Sequence, residues 1–189
     1  MGRVNKLAID RAGLMKRVMI YGGSGSGKSW LTQKLGYITG LPVVHIDSMY
    51  WKPNWVQREA DETHALVLTA IAEDSWVFDG NHHKTFPERI ARADHMIFLD
   101  FPTYTRLWRV FFRTIRCWGK PRPDMGAGCP ERFGGEFFSV WIAGYYKRSH
   151  TRDVEIITSA PGSVKCYHLP SRRQVREFLE EMAADYAQT

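Results

Sequence analysis

Gly22-Gly23-Ser24-Gly25-Ser26-Gly27-Lys28-Ser29 is the stretch that decides how this 189-residue chain folds. It has the spacing G-x-x-x-x-G-K-[S/T], the signature of a loop that cradles phosphate. Ahead of it, Arg17-Val18-Met19-Ile20-Tyr21 is a short apolar run rich in strand formers. Behind it, Trp30-Leu31-Thr32-Gln33-Lys34-Leu35 is helix-compatible. The loop is therefore expected between a buried strand and a helix N-terminus. Glycines let several backbone N–H groups converge on an anion with no Cβ in the way, and the helix adds its partial positive end. In such a cradle Gly22, Gly23, Ser24, Gly25, Ser26 and Gly27 supply the backbone, and Trp30 follows on the helix. Lys28 reaches the outer phosphates, and the Ser29 hydroxyl takes a coordination position on Mg2+. A Gly/Ser-rich turn that matched the spacing by chance would not bring the Lys-Ser pair, the strand and the helix with it.

The length suits one domain with a real core and is short for two. Hydrophobic residues at 44% and charged residues at 24% are globular values, with seven Trp, eight Tyr and ten Phe. A net charge of +6 and a pI near 9.3 point to an anionic partner, whether nucleotide, nucleic acid or membrane surface. Cys117, Cys129 and Cys166 are odd in number and widely spaced, which suits a reducing cytosol and argues against a disulfide framework or a cysteine zinc site. No apolar run reaches the length of a membrane span and no signal-peptide core is visible, so a cytoplasmic protein is expected. Residues 1–14 are basic and weakly patterned. They read as an extension ahead of the first strand, or as a basic arm for an acidic partner.

Leu41 to Asp47 reads as a second strand, with Asp47 at its end, where open α/β sheets bind ligands. A carboxylate there orients a nucleophile or holds metal-bound water; the alternative is a helix N-cap. His45, two residues earlier, shares its face on such a strand. Trp51-Lys52-Pro53-Asn54-Trp55 is a loop suited to stacking or packing, and Gln57 to Glu73 has helical spacing. Trp76-Val77-Phe78-Asp79-Gly80 is a third strand ending in a carboxylate, as a magnesium-side Walker B element does, although Asp-Gly is also a common turn. His82-His83 lacks ligand spacing and reads as loop. Lys84 and Arg89 are the nearby groups placed to meet phosphate.

Asp94 to Pro102 gives a fourth strand, and a helix follows from about Thr103 to Cys117. At ~100° per residue, Arg106, Arg109, Arg113 and Arg116 share one stripe and Leu107, Val110, Phe111 and Ile115 the other side. Arginines without an intervening acid suggest an anion-binding face. Residues 118–135, rich in Gly, Pro and charge, have the character of a lid carrying Lys120, Arg122 and Arg132. A returning helix is expected from Glu136 to about Ser149, a fifth strand at Val164 to Leu169, and a final helix capped by Ser171. Arg172 and Arg173, at its start, lie against a base or on the surface.

The ordered motifs resemble the nucleoside-monophosphate-kinase branch of P-loop proteins, from about Lys16 to Met182. Within it the chain is most similar to the adenylate-kinase-like proteins labelled DNA topology modulation proteins. The resemblance is carried by His45-Ile46-Asp47 with Trp51-Lys52-Pro53, by Asp79-Gly80-Asn81, and by Arg122-Pro123-Asp124-Met125 with Gly128-Cys129-Pro130-Glu131-Arg132-Phe133. Leu169-Pro170-Ser171-Arg172-Arg173 completes it. It implies an α/β three-layer P-loop NTPase fold with a five-stranded parallel sheet in the order 2-3-1-4-5. An acceptor-binding region over 48–75 and a lid over 118–135 are implied as well. Arg109, Arg113 and Arg116 become phosphate clamps and Arg172-Arg173 flanks the adenine. Adenylate kinases follow Asp-Gly with Phe-Pro-Arg; here Asn81-His82-His83 follows, a departure at the acceptor side.

The expected function is Mg2+- and ATP-dependent phosphoryl transfer to a small acceptor, a nucleotide or nucleoside among the options. Lys28 stabilises phosphate charge, Ser29 and Asp79 serve the metal, Asp47 acts on the acceptor hydroxyl, and Arg109, Arg113, Arg116 and Arg122 neutralise the transition state. The alternative is a nucleic-acid-associated ATPase or regulator, suggested by the net charge and by Trp108, Phe111, Phe112 and Trp118 interleaved with arginines.

Overall fold

The computed structural model describes residues 14–120, 124–125, 128–131, 142 and 144–187. Residues 1–13, Arg122 and Arg132 lie outside these, so the readings of the N-terminal extension and of those two lid cations stay with the sequence.

Five strands make one parallel sheet: β1 (Arg17–Gly22), β2 (Val43–His45), β5 (Trp76–Asp79), β6 (His95–Leu99) and β7 (Lys165–His168). Their spatial order is β2-β5-β1-β6-β7, with every neighbouring pair parallel. Counting only the strands of this sheet, that is 2-3-1-4-5. The omitted two, β3 (Trp51–Lys52) and β4 (Val56–Gln57), form a small antiparallel hairpin of their own.

The central strands are apolar almost throughout because both of their faces are covered. Along β1, Val18 and Ile20 point to one face, where they meet Leu31 and Leu35 of α1 (Lys28–Thr39) and Val175, Phe178 and Met182 of α7 (Arg172–Ala187). Met19 and Tyr21 point to the other, against Val67 and Ile71 of α3 (Ala60–Ala72), Phe86 of α4 (Phe86–Arg92) and part-buried Val154 of α6 (Thr151–Thr158). A period of two along one strand thus assigns helices to two layers. The chain fills the β2-β5 side of β1 first and then crosses to β6, and the reversal of strand order beside β1 opens a crevice at the C-terminal strand ends.

Several boundaries differ from the periodicity. The second strand stops at His45, and Asp47 lies in the first turn of a short helix, α2 (Ile46–Tyr50). His45 and Asp47 therefore do not share a strand face. Trp51 to Trp55 is the hairpin with a 3-10 turn rather than an open loop. Most of the expected returning helix over 136–149 lies outside the described residues; Tyr146–His150 is a π-helical turn that runs directly into α6. Ser171 does cap the last helix, accepting from the Gln174 N–H at 3.3 Å. Among the described residues no helix is long and apolar enough to cross a membrane.

Candidate active site

Gly22 ends β1, Lys28 opens α1, and the loop between them turns through left-handed conformations at Gly25 (φ 81°) and Gly27 (φ 98°). The Ser26 N–H closes a turn on the Gly23 carbonyl at 3.1 Å. Lys28 Nζ folds back on the Gly22 and Gly23 carbonyls at 2.8 and 3.4 Å. Burial, with a small push from Arg113, pulls the Lys28 pKa down, opposed by the negative charge of Asp47, Asp79 and Asp153. This cation is held near the carboxylates of Asp47, in the first turn of α2, and Asp79, at the end of β5, and is tethered by two backbone carbonyls, so a polyphosphate can draw it out.

The helix beneath the loop is α5 (Thr103–Arg116), and its approach is possible because Gly25 has no side chain. A Cβ there would stand 2.6 Å from the Arg106 carbonyl oxygen. The burial of α5 does not follow its apolar side alone. Arg106, Val110 and Thr114 are the buried residues, whereas Trp108, Phe112 and Ile115 are more than half exposed. Arg106 is fully buried and donates to Phe101 O, Thr103 Oγ1, Ile142 O and, at 3.4 Å, to Ser24 O. It stacks on Tyr145, its Cζ 4.6 Å from the ring centre. Arg106 thus buttresses the loop rather than waiting for an anion.

The other three arginines separate as well. Arg109 donates to the Ser26 carbonyl at 2.7 Å and lies over Phe101, 4.0 Å from its ring centre. Arg113 meets Glu131 at 3.3 Å, and Thr114 donates to the same carboxylate oxygen at 3.1 Å. The stripe is therefore not without an acid: Glu131, from the lid segment, supplies one. Arg116 is exposed.

A cavity of about 620 Å3 opens beside the loop, between α1, the end of β6 and α7. Its walls include Ser26, Gly27, Trp30, Leu99, Phe101, Arg109, Arg172 and Val175. Apolar walls with guanidinium groups at the rim suit a flat heteroaromatic ring attached to a phosphate tail. Arg172 is placed here; Arg173 is not among the lining residues and pairs with Glu177 at 3.7 Å on the surface.

On the opposite side of the loop, parallel pairing sets His45 at the end of β2 across from Asp79 at the end of β5. His45 Nδ1 lies 3.0 Å from Asp79 Oδ1. Burial works against the imidazolium, but Asp79, then Asp124 and Asp47, outweigh it and the His45 pKa is raised. Asp79 is buried and its Oδ2 has no hydrogen-bond partner, an open lone-pair position on a rigid strand end. Asp79 and the half-buried Ser29 have the hard oxygen donors that magnesium takes, with water and phosphate for the rest of its shell. Asp47 is exposed.

Arg89, read from sequence as a phosphate contact, is fully buried between Phe78 and Phe86 and donates to the Gly80 and Phe78 carbonyls at 2.9 and 3.3 Å. Burial pulls its pKa down to about 9, with Asp79 opposing. Its task is to fix the backbone on both sides of Asp79. Gly80, at φ 111°, cannot be replaced either, since a Cβ would collide with Ile46.

Three supporting groups escaped the sequence reading. Asn81 Oδ1 accepts the Gly22 N–H at 2.9 Å and ties the segment after β5 to the entrance of the loop. His83 is not a free loop residue: its Nε2 lies 2.7 Å from the fully buried Asp153 of α6, which also accepts from Tyr145 OH, while Tyr21 OH donates to the Asp153 carbonyl. Asp100, at the end of β6, stands between His150 and His168, 3.0 Å from each. His83 and Asp153 are 70 positions apart, so no local pattern announces their contact.

No family model matches the chain, and no curated protein matches it. Among solved structures it is similar to the shikimate kinase of Acinetobacter baumannii in complex with shikimate, at 13% identity and a TM-score of 0.57, covering 92% of this chain and 94% of that one. It is similar also to a gluconokinase from Sinorhizobium meliloti 1021, at 16% identity, a TM-score of 0.52 and 92% coverage of both chains. A shikimate kinase from Bacteroides thetaiotaomicron matches at 16% identity and a TM-score of 0.52, covering 92% and 99%. These likenesses establish the fold: a P-loop kinase-like α/β domain spanning nearly the whole chain.

Proposed function

We propose that the protein is an ATP-dependent kinase that transfers the γ-phosphoryl group to a hydroxyl of a small acceptor, with magnesium bound at Ser29 and Asp79. The observation that carries this reading is the convergence of Lys28 with Asp47 and Asp79 at the C-terminal end of the sheet, across the loop from an apolar cavity lined in part by Arg109 and Arg172. The loop amides and Lys28 grip the polyphosphate, and the cavity takes the base. Magnesium supplies charge neutralisation to the phosphates. Asp47 accepts the acceptor's proton as its oxygen attacks phosphorus, and the bond to the β–γ bridging oxygen breaks as ADP leaves. Lid cations, Arg122 among them, complete the charge neutralisation. The solved neighbours act on shikimate and gluconate by their names, and small hydroxylated molecules are the acceptor class to test first. The narrower kinship with adenylate-kinase-like proteins labelled DNA topology modulation proteins belongs to this proposal too, with Asn81-His82-His83 marking an acceptor other than AMP.

The nucleic-acid reading draws on the exposed Trp108 and Phe112. It is weakened by the placement of the arginines, since Arg106 is turned inward and Arg113 is held by Glu131, which leaves Arg116 as the exposed arginine of α5 on the side of those rings. A cytoplasmic location remains part of the proposal.

The test is a screen of nucleosides, nucleotides, sugars and other small alcohols for ADP release from Mg-ATP. With an acceptor in hand, Asp47→Asn is expected to lower kcat by roughly 10²–10⁴-fold and leave the ATP dissociation constant within twofold. Undiminished kcat would remove Asp47 from the chemistry.

A further inference from the structure

We propose that His45 is a positioning residue that holds the Asp79 carboxylate in the rotamer presenting Oδ2 to magnesium. This rests on the kinase reading of the same site, because it assigns the metal to Asp79. Three observations define the arrangement. The backbone around Asp79 is locked, since Arg89 occupies the carbonyls of Phe78 and Gly80 on either side. What remains free is rotation of the carboxylate itself, and His45, its register partner on the neighbouring strand, lies 3.0 Å from Oδ1. The other oxygen, Oδ2, is buried and has no hydrogen-bond partner. One oxygen is therefore contacted and the other left unpartnered, as in metal sites where an outer residue orients a ligating carboxylate.

The contact is close but bent, for Nδ1 too lacks a well-formed hydrogen bond. A polar N–H at this distance still favours one carboxylate oxygen over the other and so sets the rotamer. Lys28, whose charge already responds to Asp79, is the competitor. Without His45 the carboxylate can turn toward Lys28, and both the metal ligand and the phosphate-binding cation would then be spent on each other.

The experiment measures ATP binding to the full chain by calorimetry, first in EDTA and then across a magnesium titration, for wild type, His45→Ala and His45→Asn. The alanine variant is expected to need about tenfold more magnesium for half-maximal tightening, with metal-free ATP affinity unchanged. The asparagine variant, whose amide N–H stands near the former Nδ1, is expected to recover most of the loss. Thermal melts establish that each variant is folded. An unchanged magnesium requirement in His45→Ala overturns the proposal, as does a loss of metal-free ATP binding by the same factor. Tighter magnesium binding in that variant also overturns it, because His45 would then act only as a competing positive charge. Wild-type protein that binds ATP equally with and without magnesium would instead remove the underlying kinase reading, a result visible before any variant is made.

Discussion

Replacing Lys28 with alanine lowers phosphoryl transfer by roughly three orders of magnitude, the scale of losing a preorganised donor at the point where charge develops. The fold survives the change, because Lys28 contributes little to it. Its ammonium is buried at a cost that pulls its pKa down, and its direct partners are two backbone carbonyls. Removing this part-buried cation relieves its desolvation while it gives up two carbonyl contacts and the attraction of Asp47 and Asp79, changes that largely offset one another. The expected melting temperature is therefore within a few degrees of wild type while turnover is nearly gone. A coupled assay for ADP together with a thermal melt reads both quantities. Retained turnover would refute the role given to Lys28, and collapse of the fold would refute the structural account of its burial.

Arg106→Ala has the opposite profile, a large loss of stability. The guanidinium is fully buried and satisfies the carbonyls of Phe101 and Ile142 and the Thr103 hydroxyl, with a longer contact to Ser24. Alanine leaves those acceptors in a dry interior and opens a void under Tyr145. The cost is about 3 kcal/mol, which for a domain of this size lowers Tm by roughly 6–12 °C. ATP affinity also falls, because the loop loses the guanidinium packed against Gly23 and donating to the Ser24 carbonyl. Arg116→Ala, on the exposed side of the same helix, leaves Tm unchanged within about 1 °C, as surface substitutions usually do. Equal melting temperatures for the two variants would mean that α5 sits with its arginines toward solvent.

These two residues also mark where the sequence speaks and where it is silent. The loop around Lys28 is local: eight consecutive residues, a strand before and a helix after carry its whole geometry. The parallel sheet was equally readable, because strands covered on both faces must be apolar along their length. Asp79 at the end of such a strand was visible for the same reason. The rotation of α5 was not. Its sequence separates arginines from apolar residues, and the general rule turns the apolar side inward. Here backbone carbonyls from Phe101, Ile142 and Ser24 demand a donor at that spot, and they come from three separate parts of the chain. Arg89 was misread for a related cause, since a cation near a strand end serves a phosphate or the protein's own carbonyls with the same chemistry. Pairs such as His45 with Asp79 and His83 with Asp153 depend on strand register and helix docking, which exist only after folding. Glu131 likewise reaches Arg113 and Thr114 from the lid segment, and nothing in the spacing of α5 foretells it.

The most direct test of the account is calorimetry of wild-type protein with ATP in the presence of magnesium. A single nucleotide per chain, bound more tightly with magnesium than in EDTA and lost in Lys28→Ala, is the predicted result. No heat of binding, or binding indifferent to Lys28, would contradict the claim that the loop between β1 and α1 is a polyphosphate cradle.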